Sequence, residues 1–206
     1  AVIGVFTFIN VVGSKAGALV QLAMVAFVIA VMGWFLVEGL WETKARGLDD
    51  SNLEPFFTTG SSGVMAVVGL VFVSYGGLTK VASAAEEVED PSHRIPLGMA
   101  LSLGVATLLY TLGVLVAVVV VPPEQLHQDL APIHTAAVAV LPPLGVGLIV
   151  IAALAAFASA VNAGIMAAAR YPMAMAQDGL LPARLGGIGK FGTPTVGVVM
   201  TGSSIA

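Results

Sequence analysis

The chain has 206 residues, of which 58% are hydrophobic and only 10% are charged. An average soluble domain has about 25% charged residues, so this composition excludes an ordinary soluble protein. A net charge of −4 without any basic cluster argues against a nucleic-acid partner, and the absence of cysteine excludes disulfides, thiolate metal sites and cysteine nucleophiles.

Long uncharged stretches predict membrane-spanning helices, since a span needs about 20 apolar residues. Four stretches are long enough, and a shorter apolar stretch stands at each end of the chain. Because the terminal stretches stop while still strongly apolar, we expect a piece of a larger all-α polytopic membrane protein. The predicted spans, in a single transmembrane domain, are at about 1–13, 18–40, 62–88, 96–121, 141–169 and 194–206.

The distribution of cations predicts the orientation of these spans. If successive spans alternate in direction, Lys44 and Arg46 fall on one side of the membrane and six cations on the other, which the positive-inside rule makes cytoplasmic. The six cytoplasmic cations are Lys15, Lys80, Arg94, Arg170, Arg184 and Lys190. The alternation of spans also predicts a tight inner turn at 13–17. The other predicted connections are outer loops at 41–60 and 124–134, an inner turn at 89–95 and an inner segment at 170–192. At the inner turn, Pro91 is expected to stop one helix and Pro96 to start the next.

The span at 62–88 contains Ser74, Tyr75 and the pair Gly76-Gly77 near mid-membrane. Glycine costs roughly 0.8–1.0 kcal/mol relative to alanine in a helix interior, so we predict that this helix is broken near 74–78. Unwound backbone at such depth is tolerated only against protein or a watery cavity, and many secondary transporters hold charged ligands at broken helices. Alternatively, the glycines only permit close packing of neighbouring helices.

Intramembrane polar residues leave two interpretations each. Lys80 follows the glycine pair, and a cation at this depth is usually paired or functional, but a long lysine side chain also extends to the cytoplasmic surface. Ser159 and Asn162, three residues apart in the span at 141–169, can ligate a cation or form a hydrogen bond with a neighbouring helix.

Catalysis is not indicated. His93, His127 and His134 fall in predicted loops, and the four long uncharged stretches within the predicted spans contain no histidine, aspartate or glutamate. A membrane-embedded acid–base or metal site would therefore lack its side chains. We expect no enzyme activity, metal or cofactor.

Two motifs resemble the amino acid–polyamine–organocation (APC) permeases. Residues 72–77 (FVSYGG), followed by 86–91 (EEVEDP) and 94–96 (RIP), resemble the sixth transmembrane helix and following loop of that family. Residues 169–182 (ARYPMAMAQDGLLP), with 192–194 (GTP), resemble its loop after the eighth helix. The resemblance covers essentially the whole chain, from the end of helix four to the start of helix nine.

The resemblance implies a LeuT-like fold of two inverted five-helix repeats, with substrate held between broken helices one and six. It implies that Phe72, Val73, Ser74, Tyr75, Gly76 and Gly77 form the helix-six half of an amino-acid site. The helix-one half is absent, so the chain should not transport by itself. Thr79 stands where many relatives have an acid, which leaves the class of the substrate side chain open.

The function implied is secondary active transport of amino acids or related amines by alternating access, in a multi-pass protein of the plasma membrane. Beyond substrate and lipid bilayer, we expect protons rather than sodium as coupling partner. We expect Arg170 to pair with an acid among residues 86–90. The candidates for coupling or gating are Thr79, Lys80, Glu87, Ser159, Asn162 and Arg170. The alternative is a channel or a helical scaffold without transport.

Overall fold

The computed structural model describes residues 2–12, 14–46, 60–77, 88, 90–187, 189 and 193–205. All regular structure in this part of the chain is helical. The α-helices are α1 (Val2–Val12), α2 (Ser14–Arg46), α3 (Gly60–Ser74), α4 (Pro91–Val120), α5 (Pro123–Leu126), α6 (Pro132–Val140), α7 (Pro143–Ala168), α8 (Arg170–Gln177) and α9 (Thr195–Ile205), and a 3-10 helix covers Ala183–Gly186.

Three helical stretches of the described chain are long and apolar enough to cross a membrane. They are Ala16–Ala45, Pro91–Val120 and Pro143–Gln177, and Gly60–Ser74 is a shorter apolar helix. The third stretch joins α7 and α8, since the N–H of Ala169 still donates to the carbonyl of Ile165. Helices suit this environment because they satisfy their backbone hydrogen bonds internally.

The described helices belong to two compact units. The first unit contains α1, α2 up to Ile29, α7 from Ala152, α8 and α9. The second unit contains the rest of α2, α3 to α6, and α7 up to Ile151. The two long helices α2 and α7 therefore contribute to both units.

Small residues bring helices close together in both units. In the second unit, Gly39 of α2 lies against the fully buried Val116 of α4, so closely that a Cβ at Gly39 would overlap it. In the first unit, Gly197 of α9 lies so close to the backbone of Ala169 that a Cβ there would overlap it. Ala169 belongs to an apolar cluster with Phe6 of α1, Ile165 of α7 and Val198 of α9. Such close approach favours helix association in lipid, where the hydrophobic effect between helices is lost.

Helix α4 begins at Pro91, which corrects the predicted inner turn at 89–95 and the predicted start at Pro96. Proline is tolerated at the first helical position because the N–H it lacks would have no partner there. Pro96 then falls in the second turn and removes one backbone hydrogen bond. Asp90, just before the helix, has a left-handed backbone with φ 51°, and its carboxylate accepts a 2.9 Å hydrogen bond from the Ser92 hydroxyl.

The predicted connections are also more helical than expected. Residues 14–17, predicted as a turn, are the first turn of α2, so only residue 13 separates α1 from α2. The predicted outer loop at 124–134 contains most of α5 and the start of α6, and the inner segment at 170–192 contains α8 and the 3-10 helix. Proline stands at the first position of α5 and of α6, where its missing N–H is tolerated and its fixed φ favours the start of a helix.

Asp129 lies between α5 and α6 and accepts a 2.8 Å hydrogen bond from the N–H of Ala131. The pKa of Asp129 lies below its ordinary value because the Thr135 hydroxyl and the Ala131 N–H both donate to the carboxylate. These two hydrogen bonds connect the Asp129 carboxylate to the start of α6.

Candidate functional site

Helix α3 ends at Ser74, at the first residue of the segment where a break was predicted. The Ser74 hydroxyl donates a 3.1 Å hydrogen bond to the carbonyl of Leu70, one turn earlier. The N–H groups of Tyr75 and Gly76 donate to carbonyls only three residues back, those of Phe72 at 3.2 Å and Val73 at 3.0 Å. This is the tighter hydrogen-bond pattern of a 3-10 turn, so the α-helix ends here. Residues 78–87 lie outside the described residues, and a second half of this span stays a prediction.

The end of α3 is open to its surroundings. No residue of α3 is buried, and Phe72 and Val73 are 79% and 75% exposed. A Cβ at Gly77 would meet no atom of the described chain within 4 Å, whereas one at Gly76 would lie 3.2 Å from the Val73 carbonyl oxygen. The turn at 75–77 therefore leaves room for another group to approach its backbone.

Tyr75 connects this turn to α4. Its phenol donates a 3.2 Å hydrogen bond to the Thr107 hydroxyl, and its ring packs edge-to-face on Tyr110 with the centroids 5.6 Å apart. Sequence reasoning missed Thr107 and Tyr110. Their signal was spacing, since Thr107, Tyr110 and Thr111 are polar-tipped residues at helical intervals in an otherwise apolar helix.

A second group of polar residues is buried in the first unit, and we call it the amide cluster. It consists of Asn10 of α1, Gln21 of α2, and Ser159 and Asn162 of α7. Asn162 is fully buried, and Asn10 and Ser159 are 2% and 8% exposed. Buried polar groups in an apolar surrounding must be hydrogen-bonded to be tolerated, and these are.

Asn162 is at the centre of the amide cluster. Its carbonyl oxygen accepts a 2.7 Å hydrogen bond from Asn10, and its amide nitrogen donates to Gln21 Oε1 at 3.0 Å and to the Gly17 carbonyl at 3.3 Å. Gln21 in turn donates a 2.6 Å hydrogen bond to the Ser159 hydroxyl. The amide assignments follow from this hydrogen-bond pattern.

The amide cluster bears on the two interpretations of Ser159 and Asn162. The structure places both side chains in hydrogen bonds with neighbouring helices, as in the second interpretation. Sequence reasoning missed their partners Asn10 and Gln21. The available signal was a single amide in each of two uncharged stretches, Asn10 near the N-terminus and Gln21 in α2.

We predict that Gly17→Ala weakens the amide cluster. A Cβ at Gly17 would lie 2.7 Å from Asn10 Oδ1 and 3.7 Å from Met166 Sδ, so the Asn10 side chain must move away from Asn162. The expected result is a lower melting temperature of the full-length protein in detergent. Gly4→Ala on α1 is the matched control, since a Cβ there would meet no atom of the described residues within 4 Å. Equal melting temperatures for the two variants would contradict the prediction.

Several candidates cannot be placed. Thr79, Lys80 and Glu87 lie outside the described residues, as do Glu86 and Glu89. Arg170 is the first residue of α8 and is half-buried, but its expected pairing with that acidic segment stays a prediction. Within the described ranges, no three histidine, aspartate or glutamate side chains are grouped as a metal site would require.

The described chain has apolar helices of membrane length, a helix that ends beside a glycine pair, and amides buried between helices. These features define a polytopic membrane protein of the kind that includes transporters. A family model described as "Amino acid permease" matches residues 1–203. The chain belongs to this amino acid permease family of the APC superfamily, whose fold is the LeuT-like arrangement of two inverted five-helix repeats.

Curated relatives are named as transporters. The chain is 32% identical to cationic amino acid transporter 2, vacuolar, and 31% identical to cationic amino acid transporter 4, vacuolar, both of Arabidopsis thaliana, over 90% and 87% of its length. It is 30% identical over 82% of its length to the methylthioribose transporter of Bacillus subtilis (strain 168). The matched parts are 29%, 30% and 36% of these relatives, so the chain spans well under half of their length.

Proposed function

We propose that the full-length protein is a secondary active transporter of amino acids or related amines and works by alternating access. Residues 72–77 would form one half of its substrate site. The observation that carries the proposal is the end of α3, where α-helical hydrogen bonding gives way at Ser74 to a 3-10 turn that leads into Gly76-Gly77. Family membership supports the same assignment.

The chemistry of a helix C-terminus favours the amino group of such a substrate. The C-terminal end of a helix carries a partial negative charge, which attracts an ammonium group. Glycine at 76 and 77 removes the side chains that would keep a ligand away from this backbone. The substrate carboxylate would bind elsewhere in the full-length protein.

The substrate class is proposed from the relatives. Two are named for cationic amino acids and one for methylthioribose. Because these names differ in substrate, we propose amino acids or related amines without fixing the substrate side chain. We further propose the plasma membrane as location. An internal membrane is the alternative, because the relatives from Arabidopsis thaliana are named vacuolar. Microscopy of a tagged full-length protein would decide between the two locations.

The test is uptake by the full-length protein in proteoliposomes. Radiolabelled L-lysine, L-alanine and L-leucine are the probes, each offered with and without an excess of the unlabelled compound. Saturable uptake that depends on an imposed gradient and is competed by unlabelled probe supports the proposal. Flux without saturation would support a channel, and no flux with any of the three would support a scaffold.

We predict that uptake does not require sodium. A sodium ion needs several oxygen ligands, and the two polar side chains offered by α7, Ser159 and Asn162, already form hydrogen bonds with other helices. Replacing sodium by choline at constant pH should therefore leave uptake unchanged, and dissipating a proton gradient should lower it. Loss of uptake in choline would overturn the prediction.

We also propose that Arg170 pairs with an acid among residues 86–90, of which Glu87 is the one tested, and that this pair steadies the inner gate. Acids crowded at residues 86–90 repel one another unless a cation is near, and Arg170 is assigned to the same side of the membrane. A double-mutant cycle in uptake rate between Arg170→Ala and Glu87→Ala tests the pair. The double variant should be no worse than the poorer single variant, and losses that simply add would contradict the pairing.

A further inference from the structure

We propose that Thr107 and Tyr110 of α4 are positioning residues that hold Tyr75 and, through it, the turn at 75–77. The inference that this placement serves substrate binding rests on the proposed function. Thr107 and Tyr110 would not touch substrate themselves. They would act by fixing where the open backbone after Ser74 lies.

The turn needs such an anchor because of its composition. Gly76 and Gly77 have no side chain, so Tyr75 carries the only side chain in the turn. Glycine loses more conformational freedom on ordering than any other residue, and a ligand that had to order this backbone itself would bind less tightly. An anchored Tyr75 removes part of that cost before the ligand arrives.

The contacts with α4 supply the anchor. Thr107 accepts the phenol hydrogen bond at 3.2 Å, and Tyr110 packs on the Tyr75 ring with an interplanar angle of 64°. The edge-to-face arrangement at this separation is attractive. Thr107 and Tyr110 are three residues apart, so both lie on the same side of α4 and reach Tyr75 together.

Tyr110 is half-exposed and lies at the border of the packed part of the second unit. It lines an apolar pocket with Gly113 of the same helix, Met32 of α2 and Ile133 of α6. Gly113 is close to both neighbours, since a Cβ there would be 3.6 Å from Ile133 Cδ1 and 3.9 Å from Met32 Cε. The anchor of the turn is therefore connected to the packed core of α2, α4 and α6.

The first experiment measures the turn without relying on transport. Gly77→Cys, made in the full-length protein with any cysteines outside these 206 residues replaced, is labelled by a membrane-impermeant thiosulfonate. Adding Thr107→Val to Gly77→Cys removes the hydrogen bond from the Tyr75 phenol. We expect the labelling rate to rise roughly two- to tenfold over that of Gly77→Cys alone. Thr107→Ser keeps the hydroxyl and should restore the original rate. Thr111→Val, one turn further along α4, is the matched control and should leave the rate unchanged.

The second experiment separates positioning from a general structural role. With whichever of L-lysine, L-alanine and L-leucine the wild type takes up fastest, Thr107→Val and Tyr75→Phe should each raise KM roughly two- to tenfold and change kcat less, and the double variant should match the singles. Equal labelling rates of Gly77→Cys with Thr107→Val and with Thr111→Val would overturn the inference. So would effects of Thr107→Val and Tyr75→Phe on KM that simply add in the double variant. If the wild type takes up none of the three, only the proposed function fails, and the labelling rates still decide whether Thr107 holds the turn.

Discussion

Replacing Gly76 with leucine is expected to abolish saturable amino-acid uptake by the full-length protein while leaving its folding intact. The leucine side chain would start 3.2 Å from the Val73 carbonyl oxygen and would extend into the open space beside the turn. It would therefore fill the region where a ligand would reach the backbone. Uptake of the three labelled amino acids in proteoliposomes measures transport. Elution of the detergent-solubilised protein as a single peak in size-exclusion chromatography measures folding.

Gly69→Ala is the matched control for this experiment. Gly69 lies within α3, and a Cβ there would meet no atom of the part of the chain that the structure describes within 4 Å. Alanine in a helix interior is favoured over glycine by roughly 0.8–1.0 kcal/mol, so this variant should fold and transport normally. Normal uptake by Gly76→Leu would show that ligand does not approach this backbone. A Gly76→Leu protein that aggregates would contradict the expected separation of folding from binding.

Local sequence chemistry indicates a weak point near the end of α3. A glycine pair beside Ser74 predicts a weak point because each residue affects its own turn: serine competes for the carbonyl one turn earlier, and glycine lowers helix propensity. The structure shows the Ser74 hydroxyl bound to that carbonyl. Such features depend on residues within about one helical turn, so they can be read from the sequence alone.

Contacts between distant segments were not accessible in this way. Tyr75 was a candidate, but its partner Thr107 is 32 residues away along the chain, and Asn10 and Asn162 are separated by 152 residues. A single amide in an apolar helix indicates that a partner exists without identifying it. The start of α4 was misplaced for a different reason, because proline both begins and interrupts helices and the sequence alone did not decide between Pro91 and Pro96.

The amide cluster and the turn after α3 place different demands on the protein. The cluster is buried and its amides form hydrogen bonds with one another, which favours one fixed arrangement of α1, α2 and α7. The turn is exposed and ends in two glycines, which leaves room for a ligand. Substitutions in the cluster should therefore reduce stability, whereas substitutions in the turn should reduce binding.

Replacing Asn162 with leucine is the strongest test of that distinction. The substitution keeps the size of the side chain but removes every hydrogen bond that Asn162 makes, which leaves Asn10 without its 2.7 Å acceptor and Gln21 without a 3.0 Å donor. An unsatisfied buried polar group costs about 1–3 kcal/mol, although hydrogen bonds between membrane helices average nearer 0.6 kcal/mol. Because two groups lose partners, we expect destabilisation of about 1–3 kcal/mol, measured as a lower melting temperature of the full-length protein in detergent.

A second substitution on α1 distinguishes lost hydrogen bonds from poor packing of leucine. Removing both members of a polar pair in favour of apolar side chains is often nearly neutral, so Asn10→Leu combined with Asn162→Leu should be less destabilised than the sum of the two single variants. Ser203→Ala on α9 is the control, since the exposed Ser203 hydroxyl only donates to the Met200 carbonyl of its own helix. If Asn162→Leu melts at the same temperature as Ser203→Ala, the amide cluster does not hold α7 against α1 and α2. If the double variant loses the full sum, the cost arises from packing and the polar pairing of Asn10 with Asn162 is not what stabilises this unit.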